Sequence, residues 1–348
     1  MKAALALALV APLALAAGPS RAEPTLAARG RAAVSAAAIA ESAGGTTATR
    51  FDLERAEVGG DLTAGAHGVG TLTLEAIRSA GPSSAMGIDG DSLVTRLRHA
   101  ALGARWAAGA TLTLTARLGL VPDPWTAALA DHPERALGRP LTEDAALVAP
   151  SDLGAELVLA AGRWLRVVVV VGNGEGARDV ERNRGKTTSA VARVAWRAPA
   201  VGELALTAYG RDGSVGPGAA RSHRLGAAVT WHHARAAAGV ELVRGWGVDA
   251  QPDARALAAT AWLDAPIVAT AGVTARADRL RVDGGAAALA RWTGRGAAWW
   301  ALAPGARVEL AVERDQADAD AAVIPGAATA TDATRVLLRV HGSFEDAP

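Results

Sequence analysis

The 348-residue chain contains no cysteine, which excludes a disulfide scaffold, a cysteine-ligated zinc and a thiol nucleophile. Lysine is nearly missing, occurring only as Lys2 and Lys186, and one tyrosine and two phenylalanines stand beside ten tryptophans. The formal net charge is +1, and such a balance does not drive bulk electrostatic binding to nucleic acid, which is not expected as a partner. Beyond the first residues no apolar run is long enough for a membrane-crossing helix, since even Val167 to Val171 is hemmed in by Arg166 and Gly172. Large apolar side chains are scarce for a chain that is 50% hydrophobic with 39 glycines, so a conventional packed core is hard to build from it.

What is present begins with a leader. Lys2 supplies a positive start, Ala3 to Ala17 is an apolar run, and Ser20-Arg21-Ala22 offers small residues at the −3 and −1 positions of a cleavage site. Residues 1–22 therefore read as a secretory signal peptide. No cysteine follows to make a lipoprotein, and no linker of domain-separating composition appears after Pro24. Residues 23–348 read as one domain, destined for the periplasm, the exterior or an outer membrane.

Alanine-rich sequence invites a helical reading, but the apolar positions recur every second residue and glycine interrupts nearly every segment. In Thr111 to Leu120 the leucines and Ala116 take one face, while the threonines, Arg117 and Gly119 take the other. The same rule yields sixteen strands, at 30–43, 51–63, 69–79, 93–107, 110–121, 151–160, 163–172, 187–197, 202–210, 222–232, 235–246, 254–264, 266–278, 294–303, 306–316 and 333–344. Most have about the ten residues that a tilted membrane-crossing strand requires.

The connections sort by parity. Every second link is tight, at 65–68, 108–109, 161–162, 199–201, 233–234, Ala265 and 304–305, whereas the intervening links, such as 80–90, 122–150, 174–186, 211–221 and 317–332, are longer. An antiparallel up-and-down β-barrel in an outer membrane, with short periplasmic turns and long outer loops, has a reason for this pattern. Trp106, Trp164, Trp196, Trp231, Trp262 and Trp300 each lie near a short turn, and Phe344 closes the last strand at the same level. They predict an aromatic girdle at one interface, with a sparser ring of Phe51, Tyr209, Trp246 and Trp292 at the other.

With the strands placed, several segments resemble the phosphate-selective porin O/P family of bacterial outer-membrane channels. Leu53 to Gly60 and Leu97 to Ala104 resemble its paired early strands, and Leu118-Gly119-Leu120-Val121-Pro122 resembles the strand end that leads into its long third loop. Ser151-Asp152-Leu153-Gly154, Val171 to Gly176 and Ala192 to Pro199 are similar to three further strand signatures. The resemblance implies a sixteen-stranded, homotrimeric barrel that passes small solutes through a pore narrowed by the third loop. Phosphate-selecting members of that family use arrays of arginine and lysine, and a single lysine after the leader departs from that pattern.

If the leucine, valine and tryptophan face meets lipid, the pore-lining face gathers Arg55, Glu57, Arg105, Arg117, Glu156, Arg193, Arg224, Glu241, Arg276, Arg307, Glu309 and Arg339. Charges of both signs there set a transverse field across the lumen. The connection 122–150 exceeds the length at which loops usually carry function. Folded inward, it places Asp123, Asp131, Arg135, Arg139 and Glu143 at a constriction, with Arg117 and Arg193 as the wall arginines facing it. The expected partners are outer-membrane lipid and small polar solutes or ions, including anions such as phosphate; a closed structural barrel is the alternative.

Three other signals carry less. Gly172-Asn173-Gly174-Glu175-Gly176 lacks the helix start and lysine of a phosphate loop, and His232-His233 has no third ligand nearby, so no metal site is expected. Serines lie mostly in loops and no Gly-x-Ser-x-Gly occurs, so neither enzyme nor cofactor is expected.

Overall fold

A computed structural model describes residues 26–80, 91–129, 132, 139–174, 186–215, 220–234, 236–248, 251–284, 287–317 and 332–345. The leader and parts of the longer connections lie outside the described residues, as do Asp131 and Arg135. The strands are β1 (Leu26–Ala43), β2 (Thr46–Ala64), β3 (Gly68–Ala80), β4 (Asp91–Ala108), β5 (Leu112–Pro122), β6 (Ser151–Ala161), β7 (Leu165–Gly172), β8 (Thr187–Ala198) and β9 (Gly202–Val215). They continue as β10 (Ala220–Arg221), β11 (His223–His233), β12 (Ala236–Val248), β13 (Gln251–Val268), β14 (Ala271–Gly284), β15 (Ala287–Ala303), β16 (Ala306–Ala317) and β17 (Ala333–Glu345). The short β10 pairs only with β9, just before β11. Among the described residues the wall therefore has sixteen strands.

Each strand pairs antiparallel with its chain neighbour, and β1 pairs with β17 from Arg31↔Glu345 to Ala43↔Ala333. That pairing closes the cylinder and leaves no unpaired edge, the condition for a sheet that crosses hydrocarbon. No helix among the described residues is long and apolar enough to cross a membrane. Outside, Leu72, Leu102, Leu118, Leu206, Leu225, Val240, Leu263, Leu310 and Leu338 are exposed. A soluble protein does not expose an apolar band round its whole circumference.

Inside, small side chains form the floor. Ser35, Ala37, Thr71, Thr73, Ala101, Ala205, Thr230, Ala258, Thr274, Ala297 and Ala311 are all buried, covered by longer arginine and glutamate chains or by the third loop. This explains how an alanine-rich chain poor in large apolar residues folds: its bulk lies outside, and its interior is layered from small wall residues upward.

Three of the connections expected to be long are two-residue turns or gaps. β1 and β2 run on to Gly44-Gly45, both with positive φ (55° and 81°) that a side chain would resist; β12 and β13 leave only 249–250 between them, and β14 and β15 only 285–286. The polar sequence there extends the strands beyond the apolar band instead of forming loops. The tight link expected at Ala265 falls at 269–270, because β13 continues through Pro266 with a register shift before Val268. The loop-length parity is thus weaker than the sequence implies, whereas the strand count stands.

Candidate functional site

The connection between β5 and β6, the third on the long-loop side, folds into the barrel. Asp123 caps a short helix, α1 (Pro124–Ala128), accepting from the Trp125 backbone N–H at 2.8 Å. Trp125 and Leu129 are fully buried, and with Leu141, Leu147 and Val148 they join Val191, Tyr209, Ala228, Val243, Ala256, Ala258 and Leu280 in one apolar cluster. Those wall residues alternate with the outward Leu206, Leu225, Val229, Leu242 and Leu257, so the surface that receives the loop is the inner one. Polar contacts fasten the same side: Arg224 Nε donates to Leu147 O at 2.8 Å, Arg276 Nη1 donates to Arg139 O at 2.8 Å, and His132 Nδ1 lies 3.2 Å from Glu241 Oε1.

The second short helix, α2 (Leu141–Asp144), sits by β13, yet Glu143 accepts from Arg98 Nη2 on β4 at 3.1 Å. Since β4 and β13 are far apart around the wall, the loop reaches across the lumen. Arg98 also donates to Glu75 at 2.9 Å and lies 3.4 Å from Glu57. Asp144 is exposed to the lumen and interacts with Arg295, Arg139 and Arg276.

The inner wall consequently has two halves. From β8 to β13 it is largely apolar and covered by the loop; from β14 through β17 and β1 to β4 it is a lattice of ion pairs. Arg276 donates to Asp278 at 2.9 Å, Arg295 to Glu313 at 2.6 Å, and Arg339 to Glu309 at 3.0 Å and also to Glu54. Arg307 lies 2.7 Å from Glu309, and Arg335 joins Glu41, Glu313 and Asp315. Nearly every guanidinium is matched by a carboxylate, so the lumen carries strong local fields and little net charge.

The residues singled out from sequence fall in three groups. Glu57, Arg276, Arg307, Glu309 and Arg339 stand on the charged half, with Arg139 and Glu143 on the loop facing it. Arg224 and Glu241 hold the loop, as Arg276 also does through Arg139 O. Arg117 donates to Glu156 at 2.6 Å, and Arg193 donates to Glu203 at 2.7 Å near a short turn, so neither is the arginine that the loop meets, contrary to expectation. Arg105 is exposed near a short turn, and the Arg55 side chain lies outside the described residues.

The aromatic expectation needs two corrections. Trp164, Trp196 and Trp300 are exposed on the outside with half-buried Trp106 and Trp231, but Trp262 is 4% exposed and points inward. Its cross-strand partner is Gly239, where a β-carbon would meet the Trp262 ring at 2.6 Å. Missing that carbon, the indole lies flat inside the wall and contacts His132, centroids 5.2 Å apart. Tyr209 likewise faces inward, its hydroxyl donating to Asp123 at 3.3 Å and its ring 5.4 Å from Trp125. The Phe344 side chain lies outside the described residues; its backbone pairs with Ala32.

Arg98, Asp278 and Arg295 were missed from sequence. Arg98 sits at a register shift in β4, where Leu97 and Leu102 both face outward although they are five positions apart and so of opposite parity. Period-two counting from Leu102 therefore puts Arg98 on the wrong face. Asp278 and Arg295 obey simple alternation from Arg276 and Ala297, and that signal was available.

No family model matches the chain, and no curated protein matches it in sequence. Solved structures do share its fold. They include OmpT with loop L8 deleted, an outer membrane protein of Vibrio cholerae, at 11% identity over 92% of this chain and 99% of that one, TM-score 0.61. An anion-selective porin from Comamonas acidovorans aligns at 11% identity over 92% of this chain and 100% of that one, TM-score 0.61. The outer membrane channel DcaP of Acinetobacter baumannii aligns at 13% identity over 94% of this chain and 99% of that one, TM-score 0.59. At such identities the likeness is one of fold, that of a closed outer-membrane barrel.

Proposed function

We propose that the chain is a bacterial outer-membrane porin, a passive and weakly ion-selective diffusion channel for small polar solutes and ions. The observation that carries this reading is the described part of the loop 123–150, which lies on the apolar half of the inner wall and leaves the charged half facing the remaining lumen. A structural barrel has no use for an exposed Asp144 in the field of Arg139, Arg276 and Arg295. A channel uses it, because opposed charges across a narrow, low-dielectric passage orient and screen polar solutes. The similar folds of a porin and a channel support the reading, and an OmpT structure in a trimer form supports a homotrimer. Selectivity for phosphate is disfavoured, since the arginines a phosphate would need are already paired with carboxylates.

Purified protein in a planar bilayer tests this. Stepwise currents with a reversal potential close to zero in a salt gradient are expected. Block of chloride current by low-micromolar phosphate would show a dedicated anion site, and no current at all would establish a closed structural barrel.

A further inference from the structure

The outward faces of β1, β2, β5–β8 and β17 carry no charged side chain among those described, as alternation in hydrocarbon requires. The outward face of β12–β16 differs. Arg244, Arg255, Arg279, Arg281 and Arg314 all face out and are exposed there, against two carboxylates on the same face, Asp253 and Asp283. Register brings them together. Arg244 and Arg281 flank Leu257 on either side, Trp246 pairs with Arg255, Arg279 with Trp292, and Arg314 with Gly294.

Their height is informative. Trp300 pairs with Ala271 at the short-turn end, and Trp292 pairs with Arg279 eight residues further along. Eight residues of strand tilted by about 40° rise about 20 Å, so the arginines lie near the far margin of an apolar band about 25 Å tall. Two of them lean on that margin's tryptophans, Arg244 at 5.0 Å from the Trp246 ring and Arg279 at 5.0 Å from the Trp292 ring. Stacking leaves guanidinium donors pointing outward in the fork that matches a phosphate. Arg281 shares one donor with Asp283 at 3.1 Å. Below the arginines, Gly294 and Gly296 have open space where a side chain would begin, and Ala275 and Ala277 pair with them. The surface there is a smooth trough running down between Trp292 and Trp300.

We propose that this face binds the phosphorylated headgroup of an outer-leaflet glycolipid, with one acyl chain lying in the trough over β15. The proposal rests on the outer-membrane reading for the presence of that lipid, and goes beyond the channel in assigning a lipid site on the opposite side of the wall. Charge complementarity selects the occupant: a cationic patch at the hydrocarbon edge fits an anionic headgroup, whereas the outward faces of β1, β2, β5–β8 and β17, which another copy in a rotational trimer could bring against it, offer the arginines no described carboxylate.

The test uses the detergent-purified full chain, diphosphorylated lipid A and its dephosphorylated form as probes, and native mass spectrometry to count retained lipid. Retention of the phosphorylated form about tenfold above the other is expected, with the preference lost in the triple variant Arg279→Gln/Arg281→Gln/Arg314→Gln and kept in Arg197→Gln. Equal retention of the two lipids, or an undiminished preference in the triple variant, overturns the proposal. So does displacement of lipid A by millimolar inorganic phosphate, which would mark a free-anion site, or a triple variant that retains lipid A but falls from oligomer to monomer, which would mark a subunit interface. Heat-dependent gel mobility is read on every sample. Its absence sinks the membrane reading itself, whereas a heat-modifiable barrel without lipid preference sinks the lipid site alone.

Discussion

Asp123 joins the wall to the loop through three contacts at once: its N-cap bond to Trp125, the Tyr209 hydroxyl and the charge of Arg211. Burial dominates these and raises its carboxyl to about 6. The folded chain thus holds this proton more tightly than the unfolded chain, whose carboxyl titrates near 3.8. The stabilising contribution is fully present below that value and is lost as pH rises through about 6, a change of at most roughly 3 kcal/mol. Wild type should therefore show a heat-modification midpoint that falls between pH 4 and pH 7, and Asp123→Asn should flatten that dependence; a parallel fall in both would remove Asp123 from the explanation. Trp125→Ala empties the centre of the loop's apolar cluster, a change of about 3–5 kcal/mol for a buried aromatic. Noisier, larger unitary currents and a lower heat-modification midpoint are expected, because the loosened loop no longer braces the wall although the ladder still forms.

Among the elements, the loop tip and the strand it touches determine the field in the lumen. Arg98→Ser removes the one guanidinium shared by Glu57, Glu75 and Glu143, so the reversal potential in a potassium chloride gradient should move toward cations. The same measurement on Arg117→Ser should show a smaller shift, since only Glu156 is released. The strands themselves were legible in the sequence because a wall between lipid and lumen enforces period two almost without exception. What escaped was whatever breaks that period or lies across it. The irregular registers in β2 and β4 hid Glu54 and Arg98; Trp262 instead keeps parity with the buried Ala258 and Thr260, so alternation already places it inside, where Gly239 leaves room for its ring. The inward fold of the loop was expected from its length, yet its docking on the apolar side of the wall was not, since that surface is assembled from one to three residues on each of six strands, β8, β9 and β11 to β14.

For the whole molecule, closure between β1 and β17 is the event that removes the last unpaired edges, and Arg339 bridges that seam through Glu54 and Glu309. The pairing of Phe344 with Ala32 lies at one end of it. Phe344→Ala should lower the yield of heat-modifiable barrel in membranes, whereas removal of residues 346–348 should leave it unchanged; equal yields for Phe344→Ala and the parent would show that the terminal aromatic plays no part in insertion. The two-faced inner wall also constrains the order of assembly. The loop leaves the wall after β5, but its anchors lie far ahead in the chain, 77 residues on at Arg224, 109 at Glu241 and 137 at Arg276. It has no surface to settle on until β14 has joined the sheet, so the nascent barrel carries a naked apolar strip through most of its construction and conceals it only at the end. Loop docking is then the late, slow step of maturation, and a protease added early in refolding should find the segment from Leu141 to Val148, buried in the finished barrel, protected only after the cylinder has formed.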